Sequence, residues 1–418
     1  MEAGLNCANL GVAKQPDQRS QPHMQLNPRQ LVTQFAHMLQ EDLFPLLQTV
    51  TGPLSEQMQL LASVMALAPL ERLLSARRAS TGRPARDRAA LATAFMAKAI
   101  LNLPTTRDLM GRLRVDEALR QYCGWPTVEA LPHESKFSRA FAEFARTQLP
   151  QQLHEAVIAA TQKERLIGHI ARDSTAIPAR ERYPQTEKQK EDKQKAKKKK
   201  KGGKGGRKKG SKGGFLRAKA ADRGTRIQRQ CQQKLDRQLK DLPQQCDTGA
   251  RKNTQGHEQY WRGYKLHLDV ADGQIPISAL LTSASVHDSQ VAIPLMTMTS
   301  SRVTYLYELM DSAYDADPIL AHSRQLNHVP IASPHPRRGT KKPSQMQTVF
   351  PDKPTPQLTW AQQERYKTRT MSERVNARLK DEFGASQIRV RGAAKVMAHL
   401  MFGVLALAVD QWLRLSKP

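Results

Sequence analysis

The chain has 418 residues, with 66 Lys and Arg against 38 Asp and Glu, a formal charge of +28. The length admits two or three domains, and a charge of this size points to a polyanionic partner, nucleic acid before any other. No apolar h-region occupies the first 25 residues, the longest apolar run (Val396 to Val409, with His399 inside it) falls short of the ~20 residues of a membrane span, and Cys7, Cys123, Cys231 and Cys246 form no Cys-x2-Cys pair; a secreted, a membrane, a zinc and a disulfide-framework protein are all disfavoured.

Residues 1–26 are polar and lack periodicity, and read as a disordered leader. From 27 to about 150 the pattern is all-α. Leu31, Phe35, Leu39 and Leu43 recur every fourth residue, and Ala90 to Leu103 is an Ala/Leu/Met run with Lys98 inside it. Pro104-Thr105-Thr106-Arg107-Asp108 breaks one helix and caps the next, and Pro132-His133-Glu134-Ser135 precedes a helix from Lys136 to Leu149. Short helices divided by tight breaks suit a DNA-docking module. Lys136 and Arg139 either meet phosphate or base edges or lie on an ordinary solvated face.

From about residue 160 to 415 the character changes. Leu166 to Ile177 alternates apolar and polar residues like a half-buried strand. An insertion from about 180 to 256 follows, and its Lys197 to Gly214 core is almost only Lys, Gly and Arg. Such a run cannot bury enough surface to fold, and is either a nonspecific nucleic-acid-binding polycation or a solubilising linker. Arg226 to Leu242 reads as a returning helix. Strands are expected at Tyr264 to Val270 and Ile275 to Ser283, joined by the Asp272-Gly273 turn, and at Val303 to Met310. Helices close the chain at Glu364 to Phe383 and Ala393 to Leu415, and the last, apolar nearly all round, reads as a core helix backing the sheet.

Metal-assisted phosphodiester cleavage needs two or three carboxylates around a pair of divalent ions. Asp173 lies within the first strand and Asp311 immediately follows the last. An Asp in an apolar strand is costly unless something pairs with it, and a metal would. Asp288, Asp315 and Asp317 compete with Asp311, but the first lies in an expected loop and the others come after the strand has ended. His287 is either a proton shuttle or a satisfied loop residue. A third acid stands out by its spacing, Tyr366-x2-Arg369-x3-Glu373-x6-Lys380. On one α-helix these four fall within an arc of roughly 60°, with Met371, Val375 and Leu379 opposite and Arg378 turned away from Glu373. Glu373 then ligates metal while Tyr366, Arg369 and Lys380 hold phosphate.

With this spacing the chain resembles the transposases of the insertion-sequence-four type, which share a Tyr-x2-Arg-x3-Glu-x6-Lys signature. Supporting matches are Leu166 to Ile177, Arg262-Gly263-Tyr264-Lys265, Ser285-Val286-His287-Asp288-Ser289, Asp311-Ser312-Ala313-Tyr314-Asp315, and Gly82-Arg83-Pro84 through Phe137-Ser138-Arg139. The resemblance spans roughly residues 80–415 except the insertion. It implies an α/β, ribonuclease H-like (retroviral-integrase-like) catalytic domain with an all-α N-terminal domain. It also implies Mg²⁺, or Mn²⁺ in its place, on Asp173, Asp311 and Glu373. The partners it implies are double-stranded DNA, both element ends and target, and a second copy of the chain in the synaptic complex, all in the cytoplasm at the nucleoid. Arg262 and Lys265 are then DNA contacts, or basic protection of a strand edge. Two rivals remain open: a DNA-binding protein that no longer cuts, and a ribonuclease H-like nuclease without strand transfer.

Overall fold

Local chemistry sets where the helices begin. The computed structural model describes residues 34–75, 87–181, 225–252, 255–334 and 358–416. The leader, the Lys/Gly run and Gly82-Arg83-Pro84 lie outside the described residues. Eight α-helices come first: α1 Phe44–Thr51, α2 Glu56–Leu67, α3 Leu70–Ser75, α4 Arg88–Ile100, α5 Thr106–Val115, α6 Glu117–Tyr122, α7 Glu134–Arg146 and α8 Leu149–Gln162. Ser55, Asp87 and Asp116 each accept a backbone N–H at a helix start, and Thr105 with Asp108 forms a reciprocal capping box. The helix expected from Lys136 starts at Glu134, because the His133 side chain caps it. It ends early, and Gln148 in the left-handed region turns the chain into α8.

The sheet has six strands: β1 Leu166–Pro178, β2 Asp247–Lys252, β3 Glu258–Ala271, β4 Ile275–Ser283, β5 Thr304–Met310 and β6 Val329–Ala332. Its order is β2-β3-β1-β5-β6, with β4 also on β3; β1, β3 and β4 run antiparallel, and β5 and β6 lie parallel to β1. β2 and β6 escape the sequence pattern because one is polar and the other has four residues and a proline. Gly263, at φ +152°, stands where β3 leaves β2 for β1, and a Cβ there would run into the carbonyl oxygen of Ile177.

Seven further helices complete the fold around the sheet, the first five being α9 Arg226–Gln230, α10 Leu235–Lys240, α11 Ser289–Ser300, α12 Asp317–Gln325 and α13 Trp360–Lys367. α14 Thr370–Asp381 and α15 Ala393–Ser416 follow. Two expected single helices are therefore each divided. Arg226 to Leu242 becomes α9 and α10, because the buried Gln238 amide donates to the carbonyls of Gln230 and Gln233, both at 2.9 Å, and closes off α9. Glu364 to Phe383 becomes α13 and α14. Thr368, Thr370 and Ser372 turn their hydroxyls back onto carbonyls three residues earlier, and the backbone tightens to i,i+3 bonding there.

α15 is longer than its apolar run and, by length and composition alone, could cross a membrane, which corrects the reading that no segment is long enough. Its apolar surface is instead used inside the protein. It packs on β4, α2, α4, α7, α8 and α14, and Gly403 lets it approach the carbonyl of Phe383 closely. Phe95 of α4 meets Phe137, Phe141 and Phe144 of α7, and its ring lies 6.3 Å from Phe402 of α15. The helices and the sheet thus share one hydrophobic core, and α8 runs across the sequence boundary near 150, with His154 bonded to the Pro276 carbonyl at 2.9 Å.

The α11 side of the sheet carries a buried ionic network. Arg172 forks onto Asp269 at 2.8 and 2.7 Å and lies 3.6 Å from Glu308, while Thr299 of α11 donates to Asp269 at 2.6 Å. All four side chains are buried. Such a network is tolerated only because each charge has partners.

Candidate active site

Strand register brings two of the expected acids together. β1 and β5 run parallel with Ala171 opposite Leu309, so Asp173 and Asp311 follow two residues later on adjacent chains as the pairing ends. Crevices beyond the carboxyl ends of parallel strands are common ligand sites. Asp311 also caps a 3₁₀ turn, Ser312–Tyr314, accepting the Ala313 N–H at 2.9 Å. Asp173 accepts from Asn376 Nδ2 of α14 at 3.1 Å.

A third acid joins them from a direction that sequence reasoning set aside. Asp288 is the residue before α11, not part of an open loop. Lys265 donates to it at 2.9 Å and to the Val286 carbonyl at 2.9 Å, and buried His267 lies 3.8 Å away. Lys265, expected as a DNA contact, is thus spent on fixing Asp288. Burial alone would raise the Asp288 carboxyl, but His267, Lys265 and Ser174 more than offset it and hold it below the usual carboxylate range. Asp173 is pushed the other way, up to about 6, by burial first and then by Asp311 and Asp288, against the Ser174 backbone and Arg369. Asp311 is raised as well, by burial and by Asp288. Buried Tyr314 adds a hydroxyl with no partner among the described residues, close enough to feel all three acids.

Glu373 stands in the first turn of α14, exposed, with Met371, Val375 and Leu379 buried on the opposite side as the helix wheel requires. Arg369 bridges it to the acid cluster, with Nη2 at 2.8 Å from Glu373 and Nη1 at 4.0 Å from Asp173. Tyr366 lies on α13 and not on the same helix as Glu373; its ring centroid is 5.8 Å from the Arg369 guanidinium. Lys380, in the last turn of α14, is lowered by burial and by Arg251, and feels Asp173. The four signature residues therefore line one region although the helix breaks between them. Arg262 is exposed on β3, and Lys136 and Arg139 are exposed on α7 away from its phenylalanines. They are not brought to the acids. His287 is exposed, bonded to Ser289 at 2.8 Å, and lies near enough to Asp311 to offset part of the rise of its carboxyl. Asp315 and Asp317 lie past the 3₁₀ turn.

Desolvated carboxylates held up by burial and by a neighbouring acid call for a cation, and Asp173 with Asp311 fits a divalent metal in this respect. Glu373 is not gathered in. Among the described residues no three His, Cys, Asp or Glu side chains converge closely enough to enclose a metal. The Arg369 guanidinium occupies the place of the counter-charge between Asp173 and Glu373.

Comparison with known families decides the identity. Residues 229–409 match the profile described as Transposase DDE domain, and residues 51–143 match that of a transposase domain (DUF772). The chain is a DDE-type transposase. It acts on DNA, and metal-dependent cleavage and strand transfer are the reactions of its family. Searches of curated proteins and of solved structures gave no match. The DDE match takes in Asp288, Asp311, Arg369, Glu373 and Lys380 but begins after β1, so the transposase carries Asp173 outside it, beyond the insertion. The other match spans α2 to α7 with Lys136 and Arg139.

Asn376 and the Lys265–His267 pocket under Asp288 are the parts of this site that sequence reasoning missed; Tyr314 enters there only within a motif, and Asp288 only as a rival to Asp311. One signal was present: an Asp following an apolar strand and preceding a helical run, three residues after a serine. It marks a helix start, which was read as a loop.

Proposed function

We propose that the transposase is of the insertion-sequence-four type with a ribonuclease H-like catalytic core, and that Asp173, Asp311 and Glu373 hold Mg²⁺ for cutting and joining element ends. The observation that carries this reading is the register that sets Asp173 beside Asp311, both with raised carboxyls, under the helix that bears Glu373. A mixed sheet in which antiparallel strands on one side of β1 meet parallel strands on the other supports the fold assignment.

The bound metal would activate the attacking oxygen and stabilise the leaving oxygen of the phosphodiester. The protein's own groups do the rest. Arg369 exchanges Glu373 for a phosphate oxygen, because its planar fork suits both anions. Release of Glu373 turns a paired carboxylate into one able to join Asp173. Lys380, destabilised as a bare charge by burial, gains an anion when phosphate enters. Asn376 fixes the Asp173 carboxylate, and the Tyr366 ring backs Arg369. The same residues serve both steps, first with water and then with the freed 3′-OH attacking target DNA in line. Two ends require two copies of the site, and the synaptic complex is a homodimer.

The test uses the purified protein with labelled duplexes taken from the DNA flanking its gene. Asp173→Asn, Asp311→Asn and Glu373→Gln each abolish cleavage with end binding retained. Mg²⁺ or Mn²⁺ supports cutting, and Ca²⁺ supports binding only. Near wild-type cleavage by any one variant removes that residue from the site, and nicks without joined product favour a nuclease.

A further inference from the structure

We propose that the cleft between α4, α5, α7 and residues 389–390 binds a phosphate group, with Lys98 at its base. α4 is buried along its whole length from Ala90 to Ile100, and Lys98 is its one charged residue within that stretch. The side chain is 7% exposed. Among the described residues its ammonium has no hydrogen bond and no ion pair. An unpaired buried charge is costly unless a ligand completes it.

The surroundings identify the ligand class. The cleft, about 320 Å³ in volume, is lined by Lys98 together with Arg107, Arg389, Ser138 and Thr106. Arg389 is exposed at its mouth. Thr106 and Arg107 belong to the first turn of α5, whose backbone N–H groups favour an anion. The nearby acids are committed elsewhere. Glu134 also lines the cleft and is paired there with Arg107 at 3.3 Å, which leaves Lys98 and Arg389 as the cations to meet a ligand, and Asp108 is held in the α5 capping box, accepting from the Thr105 hydroxyl at 2.7 Å. His399, bonded to the Gly384 carbonyl at 3.0 Å, is driven down to about 4 by burial and by Lys98, and stays neutral. Lys98 itself is lowered to about 8 by burial, with Asp108 alone opposing. A phosphate would supply the missing counter-charge. The source favoured by a transposase is a backbone phosphate of bound DNA; a free phosphate monoester presents the same chemistry.

The experiment measures binding, without cleavage, so it fails or succeeds separately from the assignment of the acids. End-DNA affinity of the full-length protein is followed against salt in Ca²⁺ for wild type, Lys98→Met and Arg389→Gln. Each variant is expected to bind about tenfold more weakly and to flatten the slope of log K against log salt by about 0.9, the loss of one phosphate contact. Arg389→Gln changes an exposed residue and keeps the test open if Lys98→Met does not fold. In a second arm, thermal unfolding is measured with inorganic phosphate against chloride at equal ionic strength. Stabilisation of wild type that both variants lose, with unchanged DNA slopes, assigns the cleft to a free phosphate. Unchanged slopes together with unchanged phosphate response overturn the proposal.

Discussion

Asn376 Nδ2 donates to Asp173 Oδ2 across 3.1 Å, and so ties α14 to the strand that carries the most perturbed carboxylate of the cluster. Groups that orient a metal-binding carboxylate typically contribute 10–100-fold to metal affinity or activity. Asn376→Ala is therefore expected to raise the Mg²⁺ concentration for half-maximal single-turnover cleavage by roughly tenfold or more, with unchanged end binding. An unaltered Mg²⁺ dependence would mean that Asn376 only packs.

Asp173 makes the metal-free protein less stable. Its folded carboxyl, near 6, lies above the ordinary value near 3.9, so the fold favours the protonated form. The stability is complete below about pH 4, falls as pH rises toward 6, and stays reduced above that. Two pKa units correspond to at most about 3 kcal/mol, less whatever Arg369 loses as a partner. In EDTA, Asp173→Asn should melt higher than wild type at pH 7, with the advantage vanishing near pH 4. Equal melting temperatures at pH 7 would contradict the burial argument.

Arg369 and Arg378 separate by readout. Arg369 bridges Glu373 and Asp173. Arg378, which the helix wheel turns away from Glu373, instead binds Glu382 at 2.6 Å, Asp410 at 2.7 Å and Gln411 at 3.0 Å, joining α14 to α15. Arg369→Ala should cost roughly tenfold to a hundredfold in strand transfer or end-complex assembly with little change in melting. Arg378→Ala should instead lower the melting temperature. The geometry fails if the two variants show the same pair of effects.

Asp269 is a structural acid, distinct from the acids of the site. Asp269→Asn leaves Arg172 beside Glu308 with half its charge compensation, and removal of one partner from a buried pair typically costs about 3–5 kcal/mol. Urea unfolding should show a loss of that order at pH 7. A loss under about 1 kcal/mol would place the pair in a wetter setting than its burial indicates.

What the sequence by itself determined was everything written in local periodicity and chemistry. The alternation of Leu166 to Ile177 gave β1, Asp272-Gly273 gave the β3–β4 hairpin, and the capping residues gave the helix starts within a residue or two. The acids Asp173, Asp311 and Glu373 stood out because charged residues at strand ends and on a helix face break the apolar pattern. The tertiary structure decided which of these groups meet. Asp288 reads as a loop residue until β3 brings Lys265 and His267 beneath it, and Asn376 reads as one polar position on a helix until α14 settles on β1. Tyr366 and Arg369 stay neighbours, as a three-residue spacing on a helix already requires, but the break at Thr368 that puts them on two helices is a local hydrogen-bonding effect that a uniform helix wheel averages away. Arg172, Asp269 and Glu308 are charged residues in three separate strands, and only their pairing across the sheet makes their burial affordable. Periodicity reports which face of an element is buried; it carries no information about what lies opposite, and the partner across the interface sets the charge, the pKa and the chemistry of each group.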